Sequence, residues 1–168
     1  RYRKYRKFKK SGLLLSEKYS MVGISRREGT GFNRLSADIE LSKSWQTENG
    51  FIVRGTGNVL TAAYSENNMN TERYLLKVYP LGALEFKYPF FRGKNYKSEV
   101  LMPVAQVVYS TDSSSSKRPT DEDSSTTEFD STTLFKLKKI PGIDRQENGL
   151  RLNAGLQYFY EYKNYYKY

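Results

Sequence analysis

The sequence predicts an all-β fold, namely a segment of about seven strands from an antiparallel up-and-down transmembrane β-barrel. Three observations support this prediction. Apolar and polar residues alternate with a period of two over long segments. These segments run for about 10–13 residues, close to the roughly 9–11 that a tilted membrane-spanning strand needs and longer than the usual 5–6 of globular strands. Short and long connections also take turns along the chain.

The alternation is clearest in residues 35–45. One side of this segment carries Leu35, Ala37, Ile39, Leu41 and Trp45, and the other carries Ser36, Asp38, Glu40, Ser42 and Ser44. The same pattern continues through residues 51–63, 83–90 and 150–162, where the apolar side ends in tyrosines like an interfacial aromatic girdle. A soluble sheet with one wet face would alternate in the same way, so strand length and connections favour the barrel.

The connections predict an orientation. We expect short turns near residues 10–12, 46–50 and 91–99, and longer links at 25–33, 64–74 and 111–146. Outer-membrane barrels have tight periplasmic turns and longer extracellular loops. The sequence therefore predicts that 46–50 is periplasmic and that 111–146 is a long extracellular loop.

The composition excludes several classes of function. The chain has no Cys and no His, which excludes disulfides and the usual zinc, triad and histidine-based metal sites within it. Fifteen Tyr and nine Phe argue against disorder, and no apolar run approaches the roughly 20 residues of a membrane helix. We expect no enzymatic activity, no catalytic residue, no metal and no cofactor. Lacking a signal peptide and an initiating Met, the chain reads as part of a longer protein.

The net charge of +10 is concentrated at the start of the chain. Residues 1–10 carry seven Lys and Arg and no acidic residue, which leaves +3 for the remainder. Basic residues interleaved with Tyr and Phe could bind nucleic acid phosphates. A solvated strand end or a lumen-facing strand is the simpler explanation of these residues, and we predict no nucleic acid partner.

The polar side of the alternating segments is the expected lumen face of the barrel. Its predicted members are Asp38, Glu40, Arg54, Asn58, Glu85, Lys87, Gln106, Arg151 and Asn153. Arg54, Lys87 and Arg151 could bind lipid phosphates through charge-assisted hydrogen bonds. The neighbouring Glu85 and Glu161 favour cross-strand ion pairs instead.

The long loop changes character along its length. It begins as a Ser-rich, low-complexity stretch, whose acidic run Asp121 to Asp123 lacks the spacing of a calcium loop. Further on, apolar Phe129, Leu134 and Phe135 are expected to pack over the barrel mouth, with Asp130 capping a short helix from Ser131. Asp144 and Arg145 are expected to anchor this structural lid.

The same part of the chain carries a family resemblance. The pattern comprises Asp123, Ser124, Glu128, Phe129, Asp130, Leu134, Phe135, Gly142, Asp144, Arg145, Gly149, Arg151 and Gly155. It resembles the C-terminal barrel of the LptD family, and residues 79–90 and 101–110 resemble paired strands of that family. The likeness extends over residues 12–160. Met102 and Thr133 depart from it at positions where the family commonly has Glu and Asn.

The resemblance implies a function. Residues 1–168 would be a fragment of the outer-membrane barrel of a lipopolysaccharide translocon, which inserts lipopolysaccharide into the outer leaflet. The implied partners are lipopolysaccharide, outer-membrane lipid, an LptE-like lipoprotein inside the barrel, and a periplasmic bridge component reached through a missing N-terminal domain. A porin-like barrel is the alternative within the membrane class, and a soluble basic β-protein that binds nucleic acid is the alternative outside it.

Overall fold

The computed structural model describes residues 1–26, 31–68, 71–94, 97–111, 123, 133–140 and 142–162. Eight strands form one antiparallel sheet: β1 (Tyr2–Phe8), β2 (Leu13–Ile24), β3 (Gly31–Gln46), β4 (Ile52–Asn68), β5 (Thr71–Lys87), β6 (Phe90–Lys94), β7 (Lys97–Ser110) and β8 (Gly149–Tyr162). No helix in the described ranges is long and apolar enough to cross a membrane. The predicted all-β antiparallel fold class is confirmed.

The topology is up-and-down. The strand order is β1-β2-β3-β4-β5-β7-β6, with β8 paired to β7. Strand β6 continues β5 in one register, because Lys87 pairs with Val104 and Phe90 pairs with Leu101. The break between them holds Pro89, and Pro103 opposite Tyr88 lacks an N–H, so a ladder donor is missing there. Counting β5 and β6 as one gives the seven strands expected.

The connections are shorter than predicted at three places. Strand β4 extends to Asn68 and β5 begins at Thr71, so the expected long loop at 64–74 is wrong. Likewise, β3 begins at Gly31, and the turn expected at 91–99 contracts because β6 ends at Lys94 and β7 begins at Lys97. Polar residues at these strand ends resemble loop residues in sequence, but the β4–β5 ladder keeps pairing through them.

The register assigns every strand residue to one of two faces. The inner face carries Arg34, Asn58, Glu85, Gln106 and Asn153, and the outer face is the opposite one. From β3 to β8 the outer face is apolar and exposed, including Leu35, Ile39, Leu41, Leu76, Leu84, Phe86, Val107, Leu150, Leu152 and Leu156. The predicted face of Leu35, Ile39 and Trp45 is thus the outer one.

Strand β1 differs from the others. All its residues are exposed, and its Arg6 forms an ion pair of 3.0 Å with Glu17 of β2. Both faces of β1 carry cations, so the apolar face begins only beyond this strand.

The buried core lies on the inner face, near the end of the sheet where β7 leads to β8. Phe32, Ala62, Tyr64 and Leu75 form one cluster, against which Val22, Ile24 and Ile143 pack. The inner face is therefore apolar at this end and mixed elsewhere, where buried Leu60, Ala83, Val104 and Val108 lie among the polar side chains. This end receives the chain that connects β7 to β8.

Candidate functional site

All nine residues predicted to face the lumen lie on the inner face. Asp38, Glu40, Arg54 and Asn58 belong to β3 and β4, and Glu85, Lys87, Gln106, Arg151 and Asn153 follow on β5, β7 and β8. Their exposure differs, because the connection between β7 and β8 folds back over part of this face. Asn58, Gln106 and Asn153 are buried, whereas Arg54 is exposed. We call residues 133–140 and 142–147 of this connection the return segment.

Asp144 is the most deeply buried acidic residue of the return segment, with its side chain 0% exposed. Its Oδ1 accepts a hydrogen bond of 2.5 Å from Arg34 Nη1 and one of 2.8 Å from the hydroxyl of Tyr64. Arg34 and Tyr64 belong to the adjacent strands β3 and β4, where they pair in register. A buried charge needs a partner of opposite charge and hydrogen bonds, and Asp144 receives both from the wall.

Asp123, in the first half of the connection between β7 and β8, contacts the return segment near the end of this connection. Its Oδ1 accepts hydrogen bonds from the backbone amides of Ile143 (2.9 Å) and Asp144 (3.1 Å), and its Oδ2 lies 2.7 Å from Arg34 Nη1. Partial burial alone would raise the pKa of the Asp123 carboxyl. The two amides and the charge of Arg34 outweigh it and hold that pKa below the ordinary value of 3.8.

Gly142 allows this close approach. Its φ of +103° lies in a region that favours glycine, and a Cβ there would lie 2.5 Å from the backbone oxygen of Asp123. Any other residue would strain the backbone and push Asp123 away. The glycine of the motif therefore belongs to the same contact as its two aspartates.

Ile143 provides the apolar part of this attachment. It packs against the cluster formed by Phe32, Ala62, Tyr64 and Leu75. Full burial of an isoleucine side chain contributes about 1.5–3 kcal/mol, and Ile143, which is partly buried, contributes a fraction of that. The apolar end of the inner face is thus the seat of the return segment.

A second attachment holds the middle of the return segment. Lys138 Nζ donates a hydrogen bond of 2.8 Å to Asp38 Oδ1 on β3. The same oxygen accepts 2.6 Å from the amide of Asn58, and Lys18 lies 3.7 Å from the other oxygen. Asp38 therefore accepts hydrogen bonds from Lys138 and Asn58 and forms a longer ion pair with Lys18, so it is not a free charge.

A third attachment lies over β7 and β8. Gln106 donates 3.0 Å to the carbonyl of Phe135, and the amide of Asn153 donates 2.8 Å to Gln106 Oε1. Arg151 donates 2.5 Å to the carbonyl of Leu137 and pairs with Glu147. Ser110 Oγ also donates 2.5 Å to the carbonyl of Glu147. The backbone carbonyls of the return segment lose their water when the segment packs on the sheet. These side chains replace the water as hydrogen-bond donors.

Gly155 receives the aromatic residue of the motif. A Cβ at this position would lie 3.2 Å from the ring of Phe135 and 3.7 Å from Leu134. The ring therefore rests on the backbone of β8. Leu134 and Phe135 pack on the inner face, where Gly155 makes the space for them; that they cover a barrel mouth stays a prediction.

Several predicted roles need correction. Asp144 is buried and anchors the return segment, whereas Arg145, expected to anchor it as well, is exposed. No helix occurs in residues 133–140, where Thr133, Leu134 and Phe135 form a turn closed by a 3.1 Å bond from Lys136 N to Thr133 O. The predicted Ser124, Phe129 and Asp130 lie outside the described residues. Gly149 begins β8 at φ +101°.

The expected cross-strand ion pairs are also wrong in detail. Lys87 pairs with Glu85 two residues earlier on the same strand, at 2.9 Å. Arg151 pairs with Glu147 of the return segment and not with Glu161. The alternation of residues along the strands gives no position for the return segment. The sequence therefore could not show that this segment supplies the partner of Arg151.

Sequence reasoning missed Arg34 and Tyr64. Their position on the polar side of a strand was readable from parity, since Arg34 and Tyr64 share the face of Ser36 and Asn58. Their partner lies far along the chain, and no local pattern indicates it.

The arrangement can hold a loop in place over the inner face. Within the part of the chain that the structure describes, no group of three or more acidic side chains could hold a metal ion. Most donors and acceptors of the three attachments are paired with each other, which suits a fixed structural element; the Nε atoms of Arg34 and Arg151 and Oδ1 of Asn58 are buried without a hydrogen-bond partner.

Comparison with known families is consistent with this architecture. The family model described as LptD, LPS transport system D, matches residues 1–167. The match includes the first ten residues and the Tyr-rich end, which lie outside the resemblance noted over residues 12–160. A search among curated proteins finds no relative of the chain.

Proposed function

Because the chain belongs to the LptD family of lipopolysaccharide transport proteins, we propose that it forms part of the outer-membrane translocon that inserts lipopolysaccharide into the outer leaflet. Its share of this function is structural. The outer face of β3 to β8 lies against membrane hydrocarbon, the inner face lines the lumen, and the return segment is an extracellular lid. Residues 1–168 are then a fragment of the barrel domain.

The observation that carries this proposal is the difference between the two faces of one sheet. The outer face exposes large apolar residues such as Leu152 (72% exposed) and Leu156 (71% exposed). Exposed apolar patches of this extent are rare on soluble monomers, and lipid removes their cost. The inner face carries charge and amide groups, which water or a saccharide can solvate.

The lid follows from the three attachments of the return segment. They join it to β3, β4, β7 and β8 through buried and half-buried polar bonds. A loop held in this way narrows the lumen on the side of the long connection. A translocon needs such a closure, because a wide lumen open to the medium would admit harmful solutes.

Arg54 is the inner-face cation best placed to meet the transported lipid. Lys87 and Arg151 are paired with carboxylates, whereas Arg54 is exposed and lines a cavity of about 150 Å³ beneath Phe135 and Leu137. An exposed guanidinium can bind phosphate in a bidentate manner. We therefore assign phosphate contact to Arg54.

Two experiments on the full-length protein test this function. A photo-crosslinking residue at Arg54 should capture lipopolysaccharide in growing cells, whereas the same residue at Trp45 should capture it far less, because Trp45 lies on the outer face at the end of β3 that is periplasmic in the proposed orientation. Equal capture at both positions would remove the inner face from the transport route. An LptE-like lipoprotein inside the barrel predicts protein adducts at Arg54 in addition.

Orientation is tested by thiol labelling, since the chain has no Cys of its own. Cysteines replacing Arg145 and Asn49, both exposed, would be probed on intact cells with an impermeant reagent. Labelling at position 145 but not at 49 is expected, and permeabilised cells should label at both. The reverse pattern would invert the topology.

A further inference from the structure

Two charged residues lie on the outer face of the sheet, in line with its apolar side chains. Lys4 of β1 pairs in register with Glu17 of β2, and Glu17 pairs with Ile39 of β3. Ile39 lies on the outer face in the middle of β3 (Gly31–Gln46), and its partner on β4 is Val59. The outer face therefore carries a lysine and a glutamate on β1 and β2 where the next two strands carry an isoleucine and a valine.

The charges on this part of the outer face do not balance. Arg6 lies on the same face of β1 as Lys4, two residues further on, and forms an ion pair of 3.0 Å with Glu17. The side chain of Glu17 is only 15% exposed, so its carboxylate is already engaged. Lys4 is exposed and has no ion-pair partner among the residues that the structure describes. One of the two cations is thus left without a counter-charge.

Such a charge is costly at the depth that the proposed orientation gives it. Lysine or arginine on the lipid face of a barrel destabilises the barrel most near the membrane midplane. The headgroups begin about 15 Å from the midplane, half of the roughly 30 Å of hydrocarbon, which is farther than a lysine side chain reaches. Ionisable side chains at this depth are usually paired with one another, so we expect Lys4 to have an acidic neighbour.

The free edge of β1 is where this neighbour can lie. Tyr2–Phe8 pairs with β2 along one edge, and along the other edge it has no partner in the described part of the chain. Hydrocarbon offers no hydrogen-bond partner to the backbone N–H and C=O groups of an open edge, so a strand edge within a membrane is paired. The neighbour at this edge is then another β-strand, and side chains directly opposite those of β1 lie about 5 Å away.

We propose that the strand which pairs with the free edge of β1 carries an aspartate or glutamate on the outer face, and that this carboxylate forms an ion pair with Lys4. The inference rests on the proposed function, which places the outer face in the membrane. Together with Arg6 and Glu17, the pair completes a neutral cluster of two cations and two carboxylates. Anionic lipid headgroups are the other source of negative charge, but they lie at a different depth from Lys4.

A zero-length crosslink tests this partner in the wild-type, full-length protein. A membrane-permeant carbodiimide joins an amine only to a carboxylate that touches it. In vesicles of zwitterionic phosphatidylcholine, Lys4 should become joined to an aspartate or glutamate of another strand, identified by mass spectrometry of the peptides. The positive control is the pair of Lys138 and Asp38, which are 2.8 Å apart. If the control pair is joined while Lys4 is joined to Glu17 alone or to nothing, the proposal is wrong.

Replacing Lys4 with Met gives a second, independent test through the sign of its effect. If a carboxylate lies opposite, Lys4→Met leaves that carboxylate unpaired in hydrocarbon and should lower the urea midpoint of unfolding by about 1 M. If Lys4 faces bare lipid, loss of its charge should raise the midpoint. An unchanged or raised midpoint would therefore contradict the proposal. A decrease that occurs only in vesicles containing anionic phosphatidylglycerol would assign the counter-charge to lipid and contradict it as well.

Lys7→Met is the matched control. Lys7 belongs to the same strand and is exposed, but it lies on the inner face, in register with Leu14 and Ser42. Water solvates a charge on that face, so the urea midpoint of this variant should stay near the wild-type value. An equal decrease in both variants would show a general need for cations on β1 and would overturn the specific pair.

Lipid labelling in the same vesicles separates this proposal from the proposed function. A photoactivatable group in the acyl chains should label Leu152 of the outer face. If Leu152 stays unlabelled, the outer face does not lie in lipid and the proposed function fails. If Leu152 is labelled and Lys4→Met raises the midpoint, only the acidic neighbour of Lys4 is rejected.

Discussion

Arg34 and Asp144 are 110 residues apart in the chain, yet Nη1 of Arg34 lies 2.5 Å from Oδ1 of Asp144. Both side chains are almost fully buried, at 6% and 0% exposure. Tyr64 completes the contact at 2.8 Å. The return segment is thereby attached to the wall through a charge that has no access to water.

Replacing Asp144 with Ala should release the return segment while the sheet stays folded. The change leaves Arg34 with Asp123 as its acidic partner and removes the acceptor of Tyr64. Loss of a buried hydrogen-bonding partner costs about 1–3 kcal/mol. In this variant, hydrogen exchange at the backbone amides of residues 143 and 144 should be faster than in the wild type. Asn148→Ala is the control, since Asn148 is exposed and an exposed substitution changes stability by no more than about 0.5 kcal/mol. Equal acceleration in both variants would contradict the anchor.

The same variant distinguishes a lid from a transport element. If the return segment only closes the lumen, cells with Asp144→Ala should admit large antibiotics while surface lipopolysaccharide stays near normal. The measurements are antibiotic sensitivity and surface lipopolysaccharide in the full-length protein. Intact permeability with a sharp fall in lipopolysaccharide would assign the motif to transport.

Gly142 and Gly149 separate backbone strain from steric conflict. Both have a positive φ, of +103° and +101°, but only at Gly142 would a Cβ strike another group, the backbone of Asp123. Gly149→Ala should cost about 1–2 kcal/mol from strain alone. Gly142→Ala should cost clearly more and expose residues 142–147 to protease. Similar costs at the two sites would mean that the Asp123 contact contributes little.

Acid should weaken the Asp123 contact. Its pKa is lower in the folded protein than the ordinary 3.8, so docking favours the ionised carboxylate. The stabilisation that ionised Asp123 contributes is complete at a pH above its ordinary pKa. It is lost as the pH falls through the lowered pKa of the folded protein. Amide exchange at Ile143 and Asp144, corrected for intrinsic pH dependence, should rise over that acidic range. In the Asp123→Asn variant, which keeps Arg34 and Asp144, the acid-dependent increase in amide exchange that Asp123 causes should disappear. An unchanged pH profile would show that another group causes the increase.

Face assignment is tested by a pair of arginine substitutions. Ile39→Arg on the outer face should destabilise the protein by about 2–4 kcal/mol in lipid if Ile39 lies near the membrane midplane. Thr56→Arg on the inner face lines the same cavity as Glu40 and Glu85, whose carboxylates can compensate the charge, so its effect should be small. Denaturant titration in vesicles gives both values. Equal losses would reverse or abolish the distinction between faces.

The sequence by itself determined the strands and their two faces. Period-two alternation fixes which side chains share a face, because successive Cβ atoms point to opposite sides of a strand. For that reason all nine residues expected in the lumen lie on one face, and Ile39, Leu41 and Trp45 lie on the other. The motif that ends in Gly142, Asp144 and Gly155 was also visible, since glycine and aspartate spacing is local.

Only the tertiary structure decided what these residues contact. The return segment has no period, so its path across the inner face follows from long-range partners such as Arg34 for Asp144 and Asp38 for Lys138. The contact of Ile143 with the cluster that includes Phe32 and Tyr64 could not be predicted either. An apolar patch on this face makes sense only when the segment that packs on it has been located. The spacing of residues within a strand determines on which face each side chain lies. Contacts between segments 100 residues apart depend on the order and register of all the strands in the sheet.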